Sequence, residues 1–202
     1  MDFARDKNGK TEDQFLRDYD VTVYFRPSVT VDAVLYRYSE NTVRVLLIRR
    51  GGHPYINKYA FPGGFVDENE PCEDAVAREL NEETGITGIP LSQLVTVSTP
   101  GRDPRWRNIT IVFCAEVDKD IAFAAGDDAA DAKWFDVTVS DGTLCFKADD
   151  GESFTSELAL VYDSFGQIDL NKTKIVDRGL VAFDHAKIIC YLYNQLTRRK
   201  RK

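Results

Sequence analysis

The sequence predicts an α/β fold in which a mixed β-sheet is covered by helices on both faces. Short runs of β-branched and apolar residues, separated by turn residues, recur along most of the chain and predict strands. A helix with a defined start and end interrupts these runs after Pro71, and an amphipathic helix is predicted over Val181–Leu196. Strands interleaved with helices favour a sheet that buries both of its faces.

The strands begin with a predicted hairpin. Val29–Tyr38 and Val43–Ile48 are rich in apolar and β-branched residues, and Ser39-Glu40-Asn41 between them is typical of a turn. Tyr59–Phe65 is extended but is broken by Pro62-Gly63-Gly64. Further strands are predicted at Leu94–Ser98, at Ile109–Val117, which is apolar enough for a central position, and at Ala132–Val137.

Both predicted helices have sequence signals at their ends or on one face. Pro71 suits a first helical position, the helix runs to about Thr84, and Gly85 is placed to end it. In the C-terminal helix, apolar residues recur at helical spacing. They are Ala182, Ala186, Ile189, Cys190, Leu192, Tyr193 and Leu196.

These elements predict one domain over residues 26–197, with additions. Residues 1–25 form an N-terminal extension, loosely attached up to Gln14, with one helical turn expected from Phe15. A hairpin insertion is predicted at about 140–170, where Thr143–Lys147 and Ser153–Tyr162 flank a turn. The basic run 198–202 is interpreted as a solvated tail.

Composition excludes several classes of function. The chain has 202 residues, 43% of them apolar, and a net charge of −7, which argues against direct binding to nucleic acid. Its apolar stretches are too short to span a membrane. The four cysteines are widely spaced and form no C-x-x-C pair, so we expect reduced thiols and a cytoplasmic protein.

The segment Gly64–Ile86 carries the most specific chemical signal. On a helix with about 100° per residue, Glu82 and Glu83 lie within about 60° of Glu79. Three carboxylates on one face repel each other, and hard cations that prefer oxygen ligands, Mg²⁺ or alternatively Mn²⁺, would neutralise them. Arg78 is placed to hold a carboxylate, with Glu70 a suitable partner.

The same segment resembles the signature of the Nudix hydrolases, G-x5-E-x7-R-E-U-x-E-E-x-G-U, where U is apolar. The resemblance implies the Nudix fold and hydrolysis of a nucleoside diphosphate derivative. It also implies that the Gly63 carbonyl, Glu79 and Glu83 bind metal, that Glu82 is a third ligand or a base, and that Arg78 assists. The glycines of Phe61-Pro62-Gly63-Gly64 allow the backbone to approach a phosphate or a metal closely.

Other segments narrow the resemblance to the bacterial ADP-ribose pyrophosphatase group, which also supplied the sensor half of the NrtR-type regulators. These segments are Arg26–Asp32, Tyr59–Val66, Gly101–Arg105, Gly126–Ala129 and Ala182–His185. The resemblance implies cleavage of ADP-ribose to AMP and ribose 5-phosphate. Predicted substrate-binding residues are Arg49, Arg50, Gly64, Arg102, Asp103 and Arg105, since arginine forks match phosphate oxygens.

The general base is predicted less specifically. Asp127 and Asp128 lie where related enzymes place a loop carboxylate, although a turn with Asx hydrogen bonds explains them equally well. His185 is a further residue that could reach the site.

Two alternative functions stay open. One is another Nudix substrate, such as a dinucleotide, a nucleotide sugar or an oxidised nucleoside triphosphate. The other is a non-catalytic ADP-ribose sensor. The complete set of signature carboxylates and the lack of room for a winged helix after residue 197 argue against a sensor. The expected partners are a small nucleotide substrate and a second copy in a homodimer.

Overall fold

The structure, a computed structural model, describes residues 4–119, 121 and 129–199. Three helices occur within these ranges: α1 (Glu12–Asp18), α2 (Cys72–Thr84) and α3 (His185–Arg199). The strands are β1 (Ser28–Ser39), β2 (Thr42–Arg50), β3 (Tyr59–Ala60), β4 (Gly63–Phe65), β5 (Ser92–Val97), β6 (Asn108–Glu116), β7 (Ala129–Ser140), β8 (Thr143–Ala148), β9 (Ser153–Ala159) and β10 (Lys174–Asp177).

All of these strands belong to one mixed sheet. Its order is β10-β9-β8-β7-β2-β1-β6-β5, with β3 paired to β2 and β4 paired to β1. The neighbours β1 and β6 run parallel, from Ser28 opposite Asn108 to Tyr36 opposite Glu116, whereas the other named pairs are antiparallel. The predicted mixed sheet and its first hairpin are therefore confirmed.

The sheet has a hydrophobic core on each face because side chains alternate along its strands. Ala33 and Leu35 of β1 face the core that also contains Val76 and Leu80 of α2. Their neighbours Val34 and Tyr36 face the other core, which contains the apolar side of α3. The prediction of a sheet between helices is confirmed.

The ends of the predicted helices shift by a few residues. Pro71 is the N-cap, with an extended backbone at ψ 146°, and not the first helical residue. Gly85 ends α2 as predicted, at a left-handed φ of 70°. The α3 helix begins at His185 and not at Val181, because Val181 forms a parallel bridge with Tyr59.

The two chain ends also differ from expectation. The α1 helix starts at Glu12, three residues before Phe15, because Thr11 and Gln14 form a capping box. None of its residues is buried. At the other end α3 continues past the predicted stop at Leu196 and includes Arg198 and Arg199 of the basic run. Residues 200–202 lie outside the described ranges.

The predicted hairpin of residues 140–170 is built from β8 and β9, which extend the main sheet beside β7. Its partner β10 was not predicted, and β7 is longer than the predicted Ala132–Val137. In the part of the chain that the structure describes, no helix is both long enough and apolar enough to cross a membrane.

Candidate active site

A cleft of about 600 Å³ opens between α2, the β1 and β2 strands and the loop before β6. Of the three carboxylates predicted to share one face of α2, Glu79 and Glu83 line this cleft. We call these two residues the acidic wall. Glu82 is not among the cleft-lining residues, and 54% of its side chain is exposed to solvent.

Arg78 organises the carboxylates beside the acidic wall. Its Nε and Nη2 atoms each donate to one oxygen of Glu70 at 2.8 Å, so the predicted pair with Glu70 is confirmed and is bidentate. Nη1 donates to Glu79 Oε1 at 2.8 Å and to Glu82 Oε2 at 3.1 Å. The hydrogen bonds from Arg78 lower the pKa of Glu70 to about 2. One guanidinium thus donates hydrogen bonds to three carboxylates.

Glu83 depends on the backbone of Phe61–Gly64, which we call the Gly-rich loop. The Gly63 N–H donates to Glu83 Oε2 at 2.8 Å. A Cβ atom on Gly63 would overlap the Val31 carbonyl oxygen, and one on Gly64 would overlap the Glu79 carboxylate. The Gly63 position therefore requires glycine for the loop to lie this close to β1, whereas a side chain at Gly64 would displace the Glu79 carboxylate.

Burial disfavours the charged forms of both carboxylates of the acidic wall. Burial, reinforced by the charge of Glu79, raises the pKa of Glu83 to about 8. Burial also raises the pKa of Glu79. Two partly buried carboxylates on one helix face fit a hard divalent cation, which would neutralise both.

The described residues do not form a complete metal shell. Among residues 4–119, 121 and 129–199, no group of three or more His, Cys, Asp or Glu side chains is gathered to hold a metal ion. Mg²⁺ commonly binds proteins through one or two carboxylates, with water and substrate phosphates as its other ligands. The two carboxylates of the acidic wall fit that mode of binding.

Two arginines also line the cleft, and we call Arg50 and Arg105 the basic wall. Arg50 lies over the ring of Phe183 at 5.0 Å, and Arg105 lies 5.6 Å from the same ring and 5.0 Å from that of Phe65. Cation–π contacts of this length hold the guanidinium groups in place. Burial, then the charge of Arg105, lowers the pKa of Arg50. The basic wall thus places two guanidinium groups at the cleft, and that of Arg105 is also paired with Asp103 at 2.7 Å.

Arg102 and Asp103 also line the cleft, but their charged groups are already paired. Arg102 donates to Asp184 through Nε at 3.0 Å and Nη2 at 2.7 Å, and each side chain of this pair is 5% exposed. Asp103 accepts hydrogen bonds from Arg105 and Asn108. The geometry gives both residues a supporting position behind the basic wall.

The remaining predicted residues divide into three groups. Gly64 lines the cleft. Arg49 is exposed and does not line it, because strand alternation turns Arg49 to the face opposite Arg50. Asp127 and Asp128, the predicted bases, lie outside the described residues.

The structure adds residues for which the sequence indicated no role or only a weak one. Asp32 is 8% exposed at the cleft floor, and a carboxylate within an apolar strand was a usable signal for it. Phe183 lines the cleft with a backbone φ of 48°, a conformation that no sequence pattern indicated. His185 is 3% exposed, and burial lowers its pKa.

Comparisons with known proteins agree with this geometry. The sequence pattern of the NUDIX domain family matches residues 26–153. The chain belongs to the Nudix family. Its mixed sheet between α2 and α3 is the Nudix fold, and a MutT/nudix family protein from Enterococcus faecalis superposes with a TM-score of 0.73. That protein is 33% identical, and the match covers 93% of this chain and 70% of the other.

Two curated relatives of this Nudix chain are connected by name with ADP-ribose. It is 42% identical over 115 residues to an ADP-ribose pyrophosphatase of Methanocaldococcus jannaschii, a match that covers 57% of this chain and 65% of the relative. It is 33% identical over 110 residues to the ADPR responsive transcriptional repressor NtrR of Acinetobacter baylyi, covering 54% of this chain and 44% of the repressor. The chain thus spans less than two thirds of the length of each.

A solved relative contains the nucleotide itself. The NUDIX domain of Shewanella oneidensis NrtR, crystallised with ADP ribose, has a TM-score of 0.55 and is 34% identical. The match covers 62% of this chain and 82% of that domain.

Proposed function

We propose that this Nudix protein hydrolyses the pyrophosphate bond of a nucleoside diphosphate derivative with Mg²⁺ as cofactor, and that ADP-ribose is cleaved to AMP and ribose 5-phosphate. One observation carries the proposal: the acidic wall (Glu79, Glu83) and the basic wall (Arg50, Arg105) line the same cleft. A metal-bound diphosphate is the ligand that satisfies both walls, because its oxygens bind guanidinium groups and hard cations alike.

The metal would be held by Glu79, Glu83 and the Gly63 carbonyl, with Mn²⁺ as an alternative to Mg²⁺. When bound, such a cation neutralises the phosphate charge that grows during cleavage and activates a water molecule. Glu82 is placed at the solvent side of this set, where Arg78 holds it. It therefore contributes less than the two carboxylates of the acidic wall.

The chain's own residues bind and orient the substrate. Arg50 and Arg105 bind the diphosphate oxygens, while the Arg102–Asp184 pair supports the loop that carries Arg105. Water attacks one phosphorus, the bridging P–O bond breaks, and two monophosphates leave. The attacking water must lose a proton to a carboxylate, and Asp127 or Asp128 stays the predicted acceptor.

Similarity supports ADP-ribose as the substrate, since the archaeal relative is an ADP-ribose pyrophosphatase and the NrtR domain binds ADP ribose. The similarity to the Acinetobacter repressor favours a second candidate function, a non-catalytic ADP-ribose sensor. The intact acidic wall supports catalysis over sensing. All four cysteines are free thiols, which supports a reducing, cytoplasmic location.

The test is a panel of diphosphates incubated with the protein and Mg²⁺, with products separated and identified. The panel contains ADP-ribose, a dinucleotide, a nucleotide sugar and an oxidised nucleoside triphosphate. We expect AMP and ribose 5-phosphate from ADP-ribose at the highest kcat/KM. Faster cleavage of another member would overturn the substrate assignment. Tight ADP-ribose binding without any cleavage would overturn the enzyme assignment in favour of the sensor.

A further inference from the structure

The four residues Ala182–His185, just before and at the start of α3, contact separate parts of the cleft. The Ala182 N–H donates to a β3 carbonyl at 2.8 Å, and the Phe183 ring packs against the basic wall. Asp184 accepts a hydrogen bond from the Arg102 side chain, and His185 accepts one from the Phe61 N–H. The four residues thus contact Tyr59 of β3, both arginines of the basic wall, Arg102, and Phe61 of the Gly-rich loop. The N-terminal end of α3 therefore packs against residues that line the cleft.

His185 makes the contact that leads to the acidic wall. Its Nδ1 accepts a hydrogen bond from the Phe61 N–H at 2.9 Å, and its ring stacks on that of Phe61 with centroids 4.8 Å apart. Because Nδ1 is an acceptor, the proton of the neutral imidazole is on Nε2. That atom lies 3.5 Å from Asp32 Oδ1, and the Thr110 hydroxyl donates to the other oxygen of Asp32.

A short chain of contacts connects His185 with Glu83. Phe61 begins the Gly-rich loop, and the carbonyl of its next residue, Pro62, accepts from the Ala33 N–H at 2.8 Å. Gly63 then donates to Glu83 Oε2. Phe61 is 2% exposed, so water cannot easily replace the His185 acceptor and its loss leaves a buried N–H unpaired. The loop would move to relieve this, and Gly63 and Glu83 would move with it.

We propose that His185 is a positioning residue for hydrolysis: its Nδ1 anchors the Gly-rich loop and thereby sets where Gly63 holds Glu83. The proposal rests on the proposed hydrolytic function. His185 acts through the loop and not on the substrate, so its replacement should lower kcat far more than it changes KM.

Three substitutions test the contributions of Nδ1 and Nε2 separately. His185→Asn keeps an acceptor near the position of Nδ1, His185→Gln keeps an amide near the position of Nε2, and His185→Leu keeps neither. We expect His185→Leu to lower kcat by about a hundredfold, the effect of a displacement of about 1 Å in a catalytic group. His185→Asn should recover most of the loss and His185→Gln little of it. Equal rates for Asn and Gln, or a wild-type rate for Leu, would overturn the proposal.

A matched control shows whether destabilisation alone lowers the rate. Ser156 is also fully buried, and its hydroxyl donates to the Asp177 carbonyl at 3.0 Å, away from the cleft-lining residues. Ser156→Ala should lower the melting temperature and leave kcat unchanged. If Ser156→Ala lowers kcat as much as His185→Leu does at a similar melting temperature, His185 has only a structural role.

Two measurements decide the claim without turnover. In ¹⁵N-labelled wild-type protein we expect a scalar coupling across the hydrogen bond between the Phe61 amide nitrogen and His185 Nδ1; its absence would contradict the anchor. Water-proton relaxation measures Mn²⁺ binding, which His185→Leu should weaken and His185→Asn should largely retain. If the wild type cleaves no diphosphate, the proposed function fails, while unchanged Mn²⁺ affinity in His185→Leu overturns the positioning claim separately.

Discussion

The two walls of the cleft differ in how the chain builds them. The acidic wall comes from one helix, where Glu79 and Glu83 are four residues apart and face the same side of α2. The basic wall is assembled from distant segments: Arg50 ends β2 and Arg105 lies in the loop before β6, and both contact Phe183 just before α3. A locally encoded site is visible as spacing in the sequence, whereas a site assembled by the fold is not.

The walls share one electrostatic property. Each places two like charges in a partly buried cleft. Arg78 pairs with Glu79, and Asp103 pairs with Arg105. Burial, by contrast, raises the pKa of Glu83 and lowers that of Arg50. A cation satisfies one wall and a polyanion satisfies the other. The following substitutions therefore test whether the acidic wall controls the chemical step and the basic wall controls substrate binding.

The largest effect is expected for Glu83→Gln. The amide oxygen can still accept from the Gly63 N–H, so the loop is kept while the charge that binds metal is lost. We expect kcat to fall by about a thousandfold, the upper range for removal of one preorganised charge-stabilising group. Steady-state kinetics on ADP-ribose measures this change. A rate within a few-fold of wild type would show that Glu83 does not hold the metal.

Next in size is loss of an arginine from the basic wall. A hydrogen bond to a charged group contributes about 1.5–3 kcal/mol, so Arg50→Ala or Arg105→Ala should lower kcat/KM by about 10–100-fold, mainly through KM. Arg49→Ala is the matched control, since Arg49 is the exposed neighbour on the other face, and it should leave KM unchanged. An equal rise in KM for Arg49→Ala would remove the distinction between the two faces.

Metal binding should also appear as thermal stability. A Mg²⁺ or Mn²⁺ concentration of about 100 times Kd stabilises the folded state by about 2.7 kcal/mol, which corresponds to about 5–10 °C for a chain of this size. Differential scanning fluorimetry should show this rise for wild type and not for Glu83→Gln. Without metal, Glu83→Gln should melt no lower than wild type, because the amide keeps the hydrogen bond from Gly63 and replaces a carboxyl whose charged form burial disfavours. An equal metal-induced rise in both proteins would contradict the assignment.

The smallest effect is expected for Glu82→Gln. Its carboxylate is largely exposed and lies outside the cleft lining, although the family resemblance groups it with Glu79 and Glu83. We expect a change in kcat of less than about tenfold, since exposed charges are screened by solvent. A loss as large as that of Glu83→Gln would mean that Glu82 turns into the site when metal binds.

Sequence periodicity predicted the parts of the molecule that depend on local spacing. The β1–β2 hairpin, the α2 helix with its Gly85 end, and the Arg78–Glu70 pair were all predicted correctly. The strand β10 and the start of α3 were not, because pairing with β9 and with Tyr59 decides them. Long-range contacts override local helical propensity at such positions.

Long-range contacts also decide where the arginines predicted to bind substrate lie. The sequence identified arginines but could not assign them to a face or to a partner. Arg49 and Arg50 are neighbours with opposite orientations, and Arg102 is neutralised by Asp184, which is 82 residues away. Only the positions of β2 and α3 in three dimensions determine these outcomes.

The most direct test of the central claim is a ³¹P NMR time course of ADP-ribose with the wild-type protein, first without divalent metal and then after addition of Mg²⁺. We predict an unchanged diphosphate signal before addition, then its replacement by the two monophosphate signals of AMP and ribose 5-phosphate, with no such change for Glu83→Gln. Persistence of the diphosphate signal in wild type with Mg²⁺, or equal cleavage by Glu83→Gln, would contradict the account.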